Sequence, residues 1–352
     1  MSGQRTDVPE FPAKPRFLVM ETGFVGDVLV VTPALRALRT AFPDAEMTAL
    51  VRPKSGMVLI GTPNVTRLLP LPKEHRRGFF AVMGLASWVR GQRFDAAFVF
   101  RPSFRSALIP FLAGVPTRAG LSSEGRGLLL THKAPFEPSM SEVTKHLTVA
   151  GLVGAEPAGD QLEMFLTDEE RSDASELLGD SPDRPVVVIH PGANWPIRRW
   201  YPERFAELGA RLREEGVSVF YLAGPADAEV LAAIRDWYER EGIESPTVLE
   251  PPNVRVLAAV IEAADLAVTN NSGPLHLTSA VGTEGVFIHG PTPVERWHLQ
   301  DPRHTDIAAA DVDCRPCDST SCLHDTFRCL DRISVDRVYE AVLDRLESGS
   351  RA

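Results

Sequence analysis

The chain has 352 residues, 44% hydrophobic and 24% charged, a composition that suits a globular protein of about two domains and excludes disordered, fibrous and coiled-coil chains. Its net charge of −10 is unevenly spread: residues 1–150 carry 19 Lys and Arg against 11 Asp and Glu, and the remainder 18 against 36. No apolar run reaches the roughly 18 to 20 residues of a membrane-spanning helix, and no stretch has the basic density and aromatic interleaving of a nucleic-acid module.

In chain order, residues 1–15 read as a flexible polar tail without the apolar core of a signal peptide, so a cytoplasmic protein is expected. Residues 17–20 form a short apolar run, a buried strand, followed by the glycine loop 21–27. Val28, Val31, Leu35, Leu38 and Phe42 then recur at helical spacing until Pro43. Further strands are expected at 46–51 and 96–100, and helices at 79–89 and 103–112. The second half repeats the alternation. It has strands at 186–189, 217–222, 266–269 and 285–289, and helices ending at Gly216, at 257–264, at 274–281 and finally at 335–346. Strands alternating with helices imply parallel sheets covered on both faces. The expected organisation is a tail at 1–15, a Rossmann-like domain at 16–170, a linker at 171–184 and a second Rossmann-like domain at 185–352. Ligands belong in the loops beyond the carboxyl ends of the strands.

Four constellations could carry chemistry. In Gly23-Phe24-Val25-Gly26-Asp27 the glycines permit close backbone approach, and Asp27 is either a helix cap or a reacting carboxylate. Arg198 and Arg199, beside Trp195 and Trp200, either clamp a phosphate or lie on the surface. Asn270-Asn271-Ser272-Gly273-Pro274 opens a helix whose first amides make an anion nest; His276 is a core residue or a ligand contact. Cys314, Cys317, Cys322 and Cys329 can supply a closed tetrahedral zinc site or an Fe–S cluster, or remain as reduced thiols or disulfides.

The stretch Val19-Met-Glu-Thr-Gly-Phe-Val-Gly-Asp-Val-Leu-Val-Val-Thr-Pro-Ala-Leu35, with Phe104-Arg105-Ser106, His190-Pro-Gly-Ala193 through Trp200, Asn270 to Leu277 and the cysteine cluster, resembles glycosyltransferase family 9. These are the heptosyltransferases of the lipopolysaccharide inner core. The resemblance spans about residues 16–345 and implies a GT-B fold, two doubly wound domains facing across a cleft. The first takes the acceptor and the second the nucleotide sugar. It also implies inverting transfer with no cofactor required for the chemistry, any zinc on the cysteines being structural. Asp27 falls on the family's general base. Arg198, Asn271, Ser272, Gly273, Leu275 and His276 fall on the donor site, and Gly26 and Arg105 on the acceptor side. Asn271 replaces the family's usual Asp, and Trp200-Tyr201-Pro202 stands where Trp-Pro is common.

The expected reaction is transfer of heptose from ADP-heptose to an anionic glycolipid acceptor, which gives the basic first half (Arg76, Arg77, Arg101 and Arg105 foremost) a use. That places the protein in the cytoplasm, at the inner face of the membrane. The alternatives are a transferase of another nucleotide sugar for a surface polysaccharide, and a catalytically weak nucleotide-sugar-binding protein.

Overall fold

Short apolar strands separated by crossover helices can pair only in parallel, and this chain does so twice. The computed structural model describes residues 8–71, 78–123, 125–179, 185–224, 226–297, 301–317 and 319–349. It divides into two units, Met1–Phe165 and Leu166–Ala352. Each is a doubly wound α/β domain, the fold class expected.

The first unit holds β1 (Arg16–Met20), β2 (Glu46–Val51), β3 (Arg67–Pro70), β4 (Ala96–Val99), β5 (Thr117–Ser122) and β6 (His132–Pro135), in the order β3-β2-β1-β4-β5-β6. In β1, Phe17 to Met20 are all 0 or 1% exposed, because helices cover both faces of the sheet. The second unit holds β7 (Val186–His190), β8 (Ser218–Leu222), β9 (Thr247–Leu249), β10 (Leu266–Asn270), β11 (Glu284–His289) and β12 (His304–Ala308), ordered β12-β11-β10-β7-β8-β9. In each sheet the chain reverses direction once, between β1 and β4 and between β7 and β10. Within each sheet, the loops leaving the two strands at that reversal therefore diverge and frame a crevice of that unit.

Several expectations need correction. The helix read through Val28 to Phe42 is two helices, Val25–Leu29 and Thr32–Ala41. Pro33 cannot continue a helix from before it but is at home in a first turn, and the Thr32 hydroxyl turns back to the Leu29 carbonyl at 2.7 Å. The tail is shorter than 15 residues: Phe11 packs edge-on against Phe17 and Phe42, with ring centroids 5.0 and 5.4 Å apart. The linker expected from 171 begins inside a helix, Asp168–Leu178, capped by Thr167 and Glu170. That helix is anchored to the second unit, where Arg171 pairs with Glu262 at 2.7 Å. The rest of the linker, 180–184, lies outside the described residues.

The strands missed from sequence are β3, β5, β6, β9 and β12. Four of them are the edges of the two sheets, half-exposed and polar, so they lack the continuous apolar run of a central strand.

Candidate functional site

At the reversal point of the first sheet, the loop after β1 and the loop after β4 bring Asp27 and Arg101 together. Asp27 is the third residue of the Val25–Leu29 helix. Its Oδ2 accepts the Phe24 amide at 2.7 Å and Arg101 Nη1 at 3.3 Å. Asp27 thus caps the helix through Oδ2 and remains part-exposed, at 25% for the side chain. Gly23 is required here, because a Cβ would lie 2.2 Å from Asp27 Oδ2.

Beneath this loop lies a residue that the sequence reading passed over. Glu21 is 2% exposed, and its Oε1 accepts the Gly23 amide at 2.7 Å. Burial first, and then the nearby Asp27 carboxylate, push its pKa up to about 8. Glu142 on the helix Glu142–Gly151 adds a third negative charge, itself held by buried Lys145 at 2.9 Å. His146 on the same helix donates Nδ1–H to the Val30 carbonyl at 3.1 Å, and burial holds its pKa low. The signal for Glu21 was available: a carboxylate at the end of an all-apolar strand.

A cavity of about 180 Å³ opens on the same loops, lined among others by Thr22, Arg52, Arg101, Ser103, Arg105 and Ser106. Three guanidiniums and three hydroxyls around one small cavity suit an anionic, hydroxyl-bearing group. Arg105 comes from the second residue of the Phe104–Ala113 helix, which Ser103 caps. Gly26, by contrast, is buried within its helix and offers only backbone. Arg76 and Arg77 lie outside the described residues.

At the reversal point of the second sheet, Asn270 ties the two loops together. Fully buried, it accepts the Trp200 amide at 2.9 Å and donates to the Pro191 carbonyl at 2.8 Å. Trp200 is 0% exposed and Trp195 is 41% exposed, so only the first is core. Arg198 ends the Pro196–Arg198 turn between them. The helix Gly273–Val281 starts at Ser272, whose side chain caps nothing. The Ser272 hydroxyl oxygen is buried without a partner among the described residues, as is that of fully buried Thr292 beyond β11. These hydroxyls and the first-turn amides have the chemistry of an anion cradle. His276 is 4% exposed and meets the Trp297 ring at 5.1 Å. On the other side, burial pushes the His190 pKa down although Asp227 lies 3.7 Å away.

Two further residues expected at the donor site are buried. Leu275 is 0% exposed, and its side chain belongs to the core. Asn271 is 3% exposed, and its amide bonds to Nδ1 of His289 at 2.8 Å, whose Nε2 bonds to Asp306 at 2.6 Å.

The cysteines are all free thiols: Cys317 exposed, Cys314 and Cys322 half-buried, Cys329 buried in the core. Burial pushes the Cys329 thiol up to about 11. Among the described residues no group of three or more His, Cys, Asp or Glu side chains is arranged to hold a metal. Cys314, Cys317 and Cys322 all act electrostatically on Cys329, so the expected set of Cys314, Cys317, Cys322 and Cys329 lies in one neighbourhood, with Cys329 packed inward beside Leu330 and Ile333 and Cys317 facing solvent.

The model of glycosyltransferase family 9 (heptosyltransferase) matches residues 82–327. Lipopolysaccharide heptosyltransferase 2 of Escherichia coli K12 is 27% identical over 298 residues, 79% of this chain and 83% of that protein. The solved structure of the E. coli ADP-heptose lipopolysaccharide heptosyltransferase II superposes with a TM-score of 0.79 at 23% identity, over 95% of this chain and 99% of that one. A glycosyl transferase family 9 structure from Veillonella parvula gives 0.80 at 22% identity, over 95% and 97%.

Proposed function

Because this chain belongs to glycosyltransferase family 9, we propose that it transfers heptose, with inversion, from ADP-heptose to an anionic acceptor sugar of the lipopolysaccharide inner core. The observation that carries the reading is the pair Asp27–Arg101 at one sheet reversal and the anion cradle of Ser272 and its helix at the other.

The Met1–Phe165 unit takes the acceptor. Both side-chain hydrogen bonds of Asp27 among the described residues fall on Oδ2, so Oδ1 is the oxygen that receives the acceptor hydroxyl proton. As that hydroxyl oxygen bonds to the anomeric carbon, the bond from that carbon to the diphosphate oxygen breaks, and ADP leaves with the electron pair. Arg52, Arg101 and Arg105 hold the acceptor's negative charge. The Leu166–Ala352 unit takes the donor. Arg198, Ser272 and the amides at the start of the Gly273–Val281 helix stabilise the diphosphate as its charge develops, and His276 lies against the donor in that helix's first turn.

The motive for a different donor sugar was Asn271, and its amide is engaged by His289. Peripheral residence at the inner membrane face follows from the acceptor. Phe79 and Phe80, 71 and 88% exposed, suit such a surface, and no described helix is long and apolar enough to cross a membrane.

The test is ADP release on mixing ADP-heptose with a heptose-deficient lipopolysaccharide acceptor, and the anomeric configuration of the product by NMR. Release that depends on both substrates, with an inverted linkage, supports the reading. Transfer only from another nucleotide sugar overturns it.

A further inference from the structure

The cysteine-bearing segment grips the loop that leaves β11. Arg315 donates from Nε to the Gly290 carbonyl at 2.8 Å and from Nη2 to the Thr292 carbonyl at 3.2 Å. The Cys317 amide takes the carbonyl between them, Pro291, at 3.1 Å. Three successive carbonyls, those of residues 290–292, are therefore held by two residues of the segment. Its Nη1 also reaches the Ala309 carbonyl at 3.4 Å, so Arg315 spans from the end of β12 to the end of β11.

The gripped loop sits against the donor side. β11 pairs with β10 with Ile288 opposite Asn270, and the Asn271 amide continues that ladder to the Ile288 carbonyl at 2.9 Å. Beyond Thr292, Trp297 meets His276 in the first turn of the Gly273–Val281 helix. Gly290 leaves little room for a side chain: a Cβ would lie 3.0 Å from the Ile197 carbonyl, in the turn that carries Arg198, and 3.1 Å from Leu330. Leu330 and its neighbours brace that turn from behind. Arg204 Nη1 donates to the Leu330 carbonyl at 3.0 Å, and Trp200 Nε1 to the Ile333 carbonyl at 3.0 Å.

We propose that Arg315 is a positioning residue for the donor site: it fixes the 290–292 loop against the Arg198 turn, so that nucleoside diphosphate binding and the order of the cysteine-bearing segment are thermodynamically linked. The proposal rests on the donor site described above. A guanidinium suits this task because its planar fork reaches several carbonyls at once, and linkage makes the effect reciprocal.

ADP affinity is measured by calorimetry on the full chain, for the wild type, Arg315→Ala and Arg332→Ala. Arg332 pairs with Asp311 on the surface, both side chains more than half exposed, and serves as the control. The expected result is ADP binding about tenfold weaker in Arg315→Ala and unchanged in Arg332→Ala, with the donor KM raised and the acceptor KM unaltered, a split that general loosening would not produce. In the wild type, saturating ADP is expected to slow alkylation of exposed Cys317. Equal ADP affinity in wild type and Arg315→Ala overturns this inference alone. Absence of ADP binding by the wild type overturns the donor site and the inference with it. Should Arg315→Ala fail to fold, the labelling decides: protection of Cys317 by ADP supports the linkage, and an unchanged rate overturns it.

Discussion

Asn271 and His289 share a buried hydrogen bond of 2.8 Å, and the chemistry at its far end sets its direction. His289 Nε2 faces the Asp306 carboxylate at 2.6 Å. A carboxylate there accepts, so Nε2–H donates; in the neutral ring Nδ1 is then an acceptor that a donor satisfies. The Asn amide supplies that donor. Asn271→Asp would set carboxylate lone pairs against the Nδ1 lone pair, with Asn271 only 3% exposed. A destabilisation of about 1 to 3 kcal/mol is expected, read from denaturant unfolding. Unchanged stability would show that the interior can accept a charge here.

Asp27→Ala should lower kcat by a factor of about 10² to 10⁴ while ADP affinity is unchanged. Asp27→Asn separates the two duties of the residue: its side-chain oxygen can still accept the Phe24 amide, but it cannot hold the acceptor proton. Asp27→Asn should therefore match Asp27→Ala in rate and exceed it in stability by about 1 kcal/mol. Full turnover in either variant would leave only the capping role.

Glu21 gives the protein a pH dependence of definite sign. Its folded pKa is raised from 4.5 to about 8, so between those values the native state binds a proton that the unfolded chain has lost. Stability from this group is complete below about pH 4.5 and is lost as pH rises through about 8, by on the order of a few kcal/mol. Glu21→Gln keeps the shape and removes the titration. Its melting temperature should gain on that of the wild type between pH 6 and pH 9. A constant offset across that range would mean that Glu21 is ionised throughout.

Arg105→Ala should raise the acceptor KM about tenfold and leave the donor KM unchanged, since a charge-assisted contact is worth about 1.5 kcal/mol. The acceptor KM of the wild type should rise with salt, because exposed charges are screened beyond about 8 Å at physiological ionic strength, and the variant should show a shallower rise. A salt-independent acceptor KM would remove the arginine cavity from acceptor binding.

The two states open to the cysteines predict different patterns. With four independent thiols, Cys329→Ser lowers stability because it buries a hydroxyl in an apolar core, and Cys317→Ser does not, being exposed. A shared zinc would make the two substitutions equally costly and would appear as one equivalent of metal by elemental analysis.

Much of this molecule could be read from its chain. The central strands β1, β2, β7, β8, β10 and β11 are apolar on both faces, so their runs are continuous, and the glycine loops after β1 and β10 mark where the backbone must turn into a helix. Asp27, Ser272 and His276 lie at the starts of the helices that follow those loops and could be picked out by position alone. The edge strands could not, since half-exposed strands carry no uniform pattern. Nor could residues whose role depends on a distant partner. Glu21 matters because folding buries it beside Asp27, Asn271 because it meets His289, and Arg315 because the segment that carries it folds back on the carbonyls of residues 290 and 292. A local pattern reports which face of an element is apolar; a hydrogen bond between residues 25 positions apart, as between Arg315 and Gly290, leaves no periodic trace, so only the packed structure decides it.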